Sequence, residues 1–152
     1  TRSRRNQVFF TGNGGSAAIA SHMTADFMKN GRMRTRSLYD LSLLTCMGND
    51  YGYECIFSQP LEDLANKGDL LVAVSSSGNS PNIVQAVDAA QRKGMKIITF
   101  TGFEKENRIR SKGTYNIYVP VTHYGITESV HNLLLQEIVD EIKERDKKAR
   151  QE

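Results

Sequence analysis

Histidine, carboxylate and carboxamide side chains recur at helical spacing in two distant stretches. His22 and Asp26 stand four residues apart in "SAAIASHMTADFM". Glu128, Asn132 and Gln136 form an i, i+4, i+8 series in "ITESVHNLLLQEIVDEI". Residues at i and i+4 of a helix share a face, so each stretch carries a polar stripe, while Leu133, Leu134 and Ile138 make the second helix apolar elsewhere. Where the stripes meet, an imidazole, two carboxylates and carboxamides stand together. Such a set can ligate a divalent metal or move protons; two solvated helix faces would carry the same residues. His131 lies on the second helix about 60° from Glu128 and about 100° from Asn132, which fits a structural histidine.

Two glycine- and serine-rich turns could seat a charged substrate beside this set. "SSSGNS", Ser75 to Ser80, puts four hydroxyls and an asparagine between an apolar run and a helical pattern. Helix N-termini present unpaired N–H groups and partial positive charge, which attract phosphate. The hydroxyls of Ser75, Ser76, Ser77 and Ser80 add donors, and Gly78 lets the backbone turn tightly. No lysine follows, so this is not a GxxxxGK[ST] nucleotide loop; a lysine-free cradle suits a single phosphomonoester. A capped polar turn would look the same in isolation. "GNGGS", Gly12 to Ser16, is a second such turn, and the third glycine of a GxGxxG dinucleotide pattern would fall on Ala17. With one turn holding phosphate, Asn13, Gly14, Gly15 and Ser16 are placed to meet the polar body of a sugar. In "GNDYGYE", Asn49 and Asp50 could accept hydrogen bonds from polyol hydroxyls, or simply make a turn between helices.

These residues need a scaffold, and the apolar pattern supplies one. Val8–Thr11 reads as a short strand, followed by a helix from Ser16 to about residue 30 with Ser16 as its N-cap. "RSLYDL" reads as a weak second strand. A helical stretch from about Ser42 is interrupted at "GNDYGY" and resumes through "ECIFSQPLEDLAN". "GDLLVAVS" and "KIITFTG" are near-continuous apolar runs, as in strands covered on both faces. Between them "SPNIVQAVDAAQRKG" is a helix with Pro81 in its first turn and Gly94 as its stop. "YNIYVPV" is a further strand, and the Glu128 stretch is a long amphipathic helix. Strand and helix in alternation predict an α/β chain with a parallel sheet and helices on both faces. The chain reads as one domain over residues 1–152. In such sheets ligands sit beyond the carboxyl ends of the strands, where "GNGGS" and "SSSGNS" both fall.

Composition narrows the classes. The chain has 152 residues, 39% hydrophobic and 24% charged, with net charge +3, ordinary for a globular domain with one core. No apolar run approaches the roughly 18 residues of a membrane span, and "TRSRRNQVFF" lacks a signal peptide's apolar segment; a cytoplasmic location is expected. The basic excess in "TRSRR", "NGRMRTRS" and "KERDKKARQE" has no interleaved aromatic residues, so nucleic-acid binding is not expected. Cys46 and Cys55 form neither a CxxC nor a zinc finger and read as free thiols.

"GNGGSAAIASH" followed by an acidic residue, "GNDYG", "VAVSSSGNSPNIVQAVDAAQRKGMKIITFTG" and "YGITESVH" together resemble the sugar isomerase (SIS) domain family, and within it the bacterial phosphoheptose isomerases. The resemblance spans roughly Val8 to Glu144. It implies a three-layer sandwich around a five-stranded parallel sheet in flavodoxin-like order, preceded in the family by one or two helices ahead of this chain's start. It implies a homotetramer with active sites at subunit interfaces. It also implies isomerisation of sedoheptulose 7-phosphate to a heptose 7-phosphate for glycan precursors, through a cis-enediol and without a nucleotide cofactor. Carried over by position, Ser75, Ser76, Ser77 and Ser80 bind phosphate; Asn13 to Ser16, Asn49, Asp50 and Glu128 line the sugar. The zinc-binding and catalytic set falls on His22, Asp26, Glu128 and Gln136. On the first helix the family has His then Glu, here His22 and Asp26; on the last it has Gln then His, here Glu128 and Gln136. Asp26 is then the expected base, His22 a ligand or polariser, Glu128 a ligand or second base, and Gln136 a ligand or orienting group, with His131 a substitute acid if the helix shifts. The alternative is a non-catalytic SIS module that binds a sugar phosphate or a protein partner such as a replication initiator.

Overall fold

The computed structural model describes residues 6–151; the basic start "TRSRR" lies outside them. Five parallel strands, β1 (Gln7–Thr11), β2 (Arg34–Arg36), β3 (Leu70–Ser75), β4 (Lys96–Gly102) and β5 (Tyr115–Val119), form one sheet in the order β2-β1-β3-β4-β5. This is the flavodoxin-like order the family resemblance implies. Val8 pairs with Leu70, Leu70 with Lys96, and Ile98 with Tyr115. Side chains alternate across the sheet with period two, and this alternation makes two cores. Phe9, Leu71 and Ala73 face α3 (Ser58–Leu64) and α4 (Pro81–Arg92), where Phe57, Leu61, Ile83 and Val87 meet them. Val8, Phe10, Val72 and Val74 face α1 (Gly15–Lys29) and α5 (Tyr124–Lys148), where Ile19, Met23, Phe27, Leu135 and Val139 meet them. The helices carrying the two polar stripes thus pack on one face of the sheet, side by side.

Several boundaries differ from the sequence reading, each for a local reason. The second strand ends at Arg36 and does not run through "RSLYDL". Asp40 accepts a hydrogen bond from Leu43 N at 2.9 Å. That bond satisfies an orphan N–H of α2 (Leu41–Tyr51) and commits the chain to a helix start. Leu38, in the same stretch, turns into the core and is fully buried. α2 continues unbroken through Gly48, Asn49 and Asp50. A lone glycine costs a helix only about 1 kcal/mol, and the chain breaks instead at Gly52, whose φ of 90° ends the helix. α1 begins at Gly15 after Gly14, so Ser16 is a buried first-turn residue and not the cap. α4 matches the reading: Ser80 stands at the N-cap, Pro81 opens the helix, and Gly94 follows it at φ 68°.

His131 is fully buried between α5 and the sheet. Its Nε2–H donates to the Thr101 carbonyl at 3.1 Å, because a carbonyl can only accept. Its ring meets Phe100 edge to face at 5.6 Å, and Nδ1 has no partner among the described residues. The histidine is structural and points away from the polar stripe. Burial pushes its pKa below the ordinary imidazole value, partly offset by the bond to Thr101. The unfolded chain takes up a proton there below about pH 6.5, which the folded chain refuses. Stability attributable to His131 is therefore intact above about pH 6.5 and is lost as pH falls from there toward the lower folded value. Thermal melts at about pH 7.5 and about pH 5.5 should show an acid-induced drop that is shallower in His131→Gln. Equal drops would mean that another group carries it.

Candidate active site

Two strand-to-helix turns meet at the carboxyl edge of the sheet. In the first, β1 passes through Gly12, Asn13 and Gly14 into α1. A Cβ on Gly12 would lie 2.5 Å from the Ser16 carbonyl oxygen, and Gly14 takes φ 54°. The turn therefore closes only with glycine at the first position and strains any other residue at the second. In the second, β3 passes through Ser75, Ser76 and Ser77 to Gly78 at φ 65°, and Ser80 leads into α4. Gly78 N donates to Ser75 O at 3.1 Å and to Ser75 Oγ at 3.2 Å, and Asn79 N donates to Ser77 Oγ at 3.2 Å. The segment after β4 braces this loop from outside: Ile109 N donates to Gly78 O and Arg108 N to Asn79 Oδ1.

The turns are tied by a pair of amides. Asn13 Nδ2 donates to Asn82 Oδ1, and Asn82 Nδ2 returns a bond to Asn13 Oδ1, both at 2.8 Å. The Tyr53 hydroxyl also donates to Asn13 Oδ1, at 3.2 Å, and the Tyr39 hydroxyl to Gly12 O, at 2.9 Å. Burial pushes the Tyr39 phenol well above its ordinary range, so it stays a donor. Asn82, 1% exposed, was missed in the sequence. Its signal was position: it heads the stripe that continues at Ala86 and Ala90, and all three are buried. A polar residue opening an apolar stripe needs a partner.

The result is a cavity of about 320 Å³ walled by Asn13 to Ser16, Ser75 to Ser77, Ser80, Tyr124 and Glu128. All eight cradle residues read from the two loops border one space. Ser76 is 4% exposed, and its Oγ has no partner among the described residues. A second cavity, about 360 Å³, lies alongside and is walled by α1 from Gly15 to His22 and by Glu128, Ser129 and Asn132. Gly15 and Glu128 border both.

The four residues expected to share a metal and the chemistry divide into two places. His22 Nε2 lies 3.1 Å from Asp26 Oδ2, and Gln136 Nε2 donates to that same oxygen at 3.1 Å. Asn30 Nδ2 reaches Asp26 Oδ1 at 3.4 Å. Glu128 borders the same cavity as His22, but its carboxylate lies against Gly15 and bonds to none of the other three. Among the described residues no group of three or more His, Cys, Asp and Glu side chains is spaced to hold a metal ion. Asn49 and Asp50 sit in the exposed last turn of α2, bonded to one another at 2.8 Å, and border neither cavity. The Cys46 thiol also donates to Asp50, and this bond holds the thiol above its ordinary pKa.

Both the sequence and the architecture match known proteins. The profile of the SIS domain matches residues 2–102. The phosphoheptose isomerase of Sodalis glossinidius is 37% identical over 139 residues, covering 87% of this chain and 69% of that protein. The phosphoheptose isomerase of Akkermansia muciniphila is 36% identical over 147 residues, 93% of this chain and 77% of the other. The structure of phosphoheptose isomerase GmhA from Neisseria gonorrhoeae superposes with a TM-score of 0.82 at 35% identity, covering 90% of this chain and 76% of that one.

Proposed function

The chain belongs to the SIS domain family, among its phosphoheptose isomerases, and from that membership we propose that it interconverts a ketose phosphate and an aldose phosphate, sedoheptulose 7-phosphate and a heptose 7-phosphate. The observation that carries this reading is the cavity pair: a serine-lined cradle for a phosphate at one end, opening past a carboxylate to a histidine-bearing space at the other. The phosphate sits on the hydroxyls of Ser75, Ser76, Ser77 and Ser80 at the N-terminus of α4, where the helix end favours negative charge. Asn13 to Ser16 hold the sugar hydroxyls. The carbonyl end then lies toward the second cavity. There a carboxylate takes the proton from the carbon next to the carbonyl, a cis-enediol forms, and the proton returns to the neighbouring carbon.

For zinc, His22 and Asp26 offer an imidazole nitrogen and a carboxylate oxygen, donors that zinc accepts. Gln136 adds only a carboxamide, and Glu128 is turned to Gly15. The set within one chain does not make up a tetrahedral zinc site, and the carboxylate moves the proton without a metal. Leu41 and Tyr51 on α2, and Ile126 and Leu133 on α5, are large exposed apolar side chains. They support a homotetramer that covers them and completes the sites with Asn49 and Asp50 from a neighbouring copy. Cys46 and Cys55 are free thiols, in keeping with the reducing cytoplasm.

A non-catalytic module that binds a sugar phosphate or a protein partner is the second reading. Gln136 favours it, since a carboxamide carries no proton. The two separate in one experiment on the purified protein: calorimetric binding of sedoheptulose 7-phosphate, followed by an NMR assay of its conversion with and without added zinc. Conversion is expected. Binding with no conversion in either condition would establish the module.

A further inference from the structure

Resting on the isomerase reading, we infer that Glu128, rather than Asp26, is the base that moves the proton between the two substrate carbons. Three observations carry this. Glu128 borders both cavities, so it faces the space where the phosphate-anchored sugar chain must pass; Asp26 borders neither. The Glu128 carboxylate makes no hydrogen bond or ion pair with any described residue, so its oxygens are open to a substrate. Asp26 is already engaged, Oδ2 by His22 and Gln136 and Oδ1 by Asn30. Finally, Gly15 is bare beside Glu128. A Cβ there would fall 2.2 Å from Oε2, so the carboxylate lies on the glycine turn itself, at the junction of cradle and second cavity.

The step balances with one carboxylate. Glu128 takes the proton from the hydroxyl-bearing carbon beside the carbonyl, and the C–H electron pair becomes the C=C of the enediol. The carbonyl π pair moves onto its oxygen, which receives the proton of the neighbouring hydroxyl. That second oxygen becomes the new carbonyl, and Glu128 returns its proton to the other carbon. No oxidant, reductant or second protein acid is consumed. Asp26 then acts as a positioning residue that holds His22, which borders the second cavity, and is itself held by Gln136.

Glu128→Gln and Asp26→Asn test this, both being near-isosteric. The readouts are kcat, incorporation of solvent deuterium at carbon during turnover in D2O, and the dissociation constant for sedoheptulose 7-phosphate. A general base contributes about 10²–10⁴-fold. Glu128→Gln is expected to lose on the order of a thousandfold in kcat, together with deuterium incorporation, while binding changes little. Asp26→Asn is expected to slow turnover by about tenfold and still incorporate deuterium. Loss of incorporation in Asp26→Asn, alone or together with Glu128→Gln, overturns the assignment. So does a Glu128→Gln protein that turns over. If the unsubstituted protein neither isomerises nor exchanges, the isomerase reading itself has failed, an outcome distinct from either variant result.

Discussion

Alanine at position 15 is expected to leave the chain folded and to cut its turnover by about a hundredfold. Gly15 is the first residue of α1, and its φ lies outside the positive range that demands glycine. Alanine is the better helix former by about 1 kcal/mol, so the backbone has no reason to object. The obstacle is the added methyl. It would sit 2.2 Å from Glu128 Oε2, 2.7 Å from Cδ and 2.9 Å from Oε1, in the space the carboxylate fills. Those atoms are the end of a flexible side chain and can swing away at little cost to stability. A base displaced by an ångström or more, however, no longer meets the carbon it must deprotonate, and such misplacement costs about 10²-fold. Circular dichroism melts should therefore match the parent protein, or exceed it slightly, while kcat falls. A Gly15→Ala protein with full turnover would show that the carboxylate is not needed where the structure puts it.

That glycine also illustrates what was legible in the sequence. The buried runs of β3 and β4, the proline and glycine that bound α4, and the two glycine turns were all readable, because each rests on local chemistry. A run such as "LLVAV" has few places to go except the middle of a sheet, and Gly12 and Gly14 advertise a turn by their type. The missed features came from competition between local signals. Arg36 to Leu41 has the composition of a strand, but Asp40 finds an orphan N–H to cap. "GND" looks like a turn, but Gly48 is too weak a breaker when Gly52 stands four residues on.

The candidate site was legible in its members and not in its partition. The spacing of Glu128, Asn132 and Gln136 correctly put them on one face of α5. It could not say how that face lies along α1. The two helices pair so that Glu128 meets Gly15 while Gln136 meets Asp26. Eight residues of helix, about 12 Å of axis, separate the two meeting points, so one end of the stripe serves the cradle and the other braces the His22–Asp26 pair. Helical periodicity reports angle around an axis, whereas crossing geometry is set by the packing of Ile19, Met23, Leu135 and Val139 against the sheet.

The cradle makes its own prediction, and it runs against the usual cost of a buried substitution. Ser76→Ala should weaken sugar-phosphate binding by about 10- to 100-fold without lowering the melting temperature of the unliganded protein. Ser76 is 4% exposed, and its hydroxyl has no partner among the described residues. A buried polar atom left unpaired costs stability, so removing the oxygen relieves a cost in the empty protein. Ser76 also borders the cavity between the two turns. A phosphate oxygen arriving there would satisfy that hydroxyl, and a hydrogen bond to a charged group is worth about 1.5–3 kcal/mol. Ser75 provides the contrast. Its Oγ accepts from Gly78 N at 3.2 Å and so supports the loop whether or not a ligand is present; Ser75→Ala should lower the melting temperature. Calorimetry with inorganic phosphate and with sedoheptulose 7-phosphate reads the binding loss, and differential scanning reads the stability. Should Ser76→Ala melt lower and bind as well as the parent, the hydroxyl serves the fold, and the phosphate lies elsewhere along the edge of the sheet.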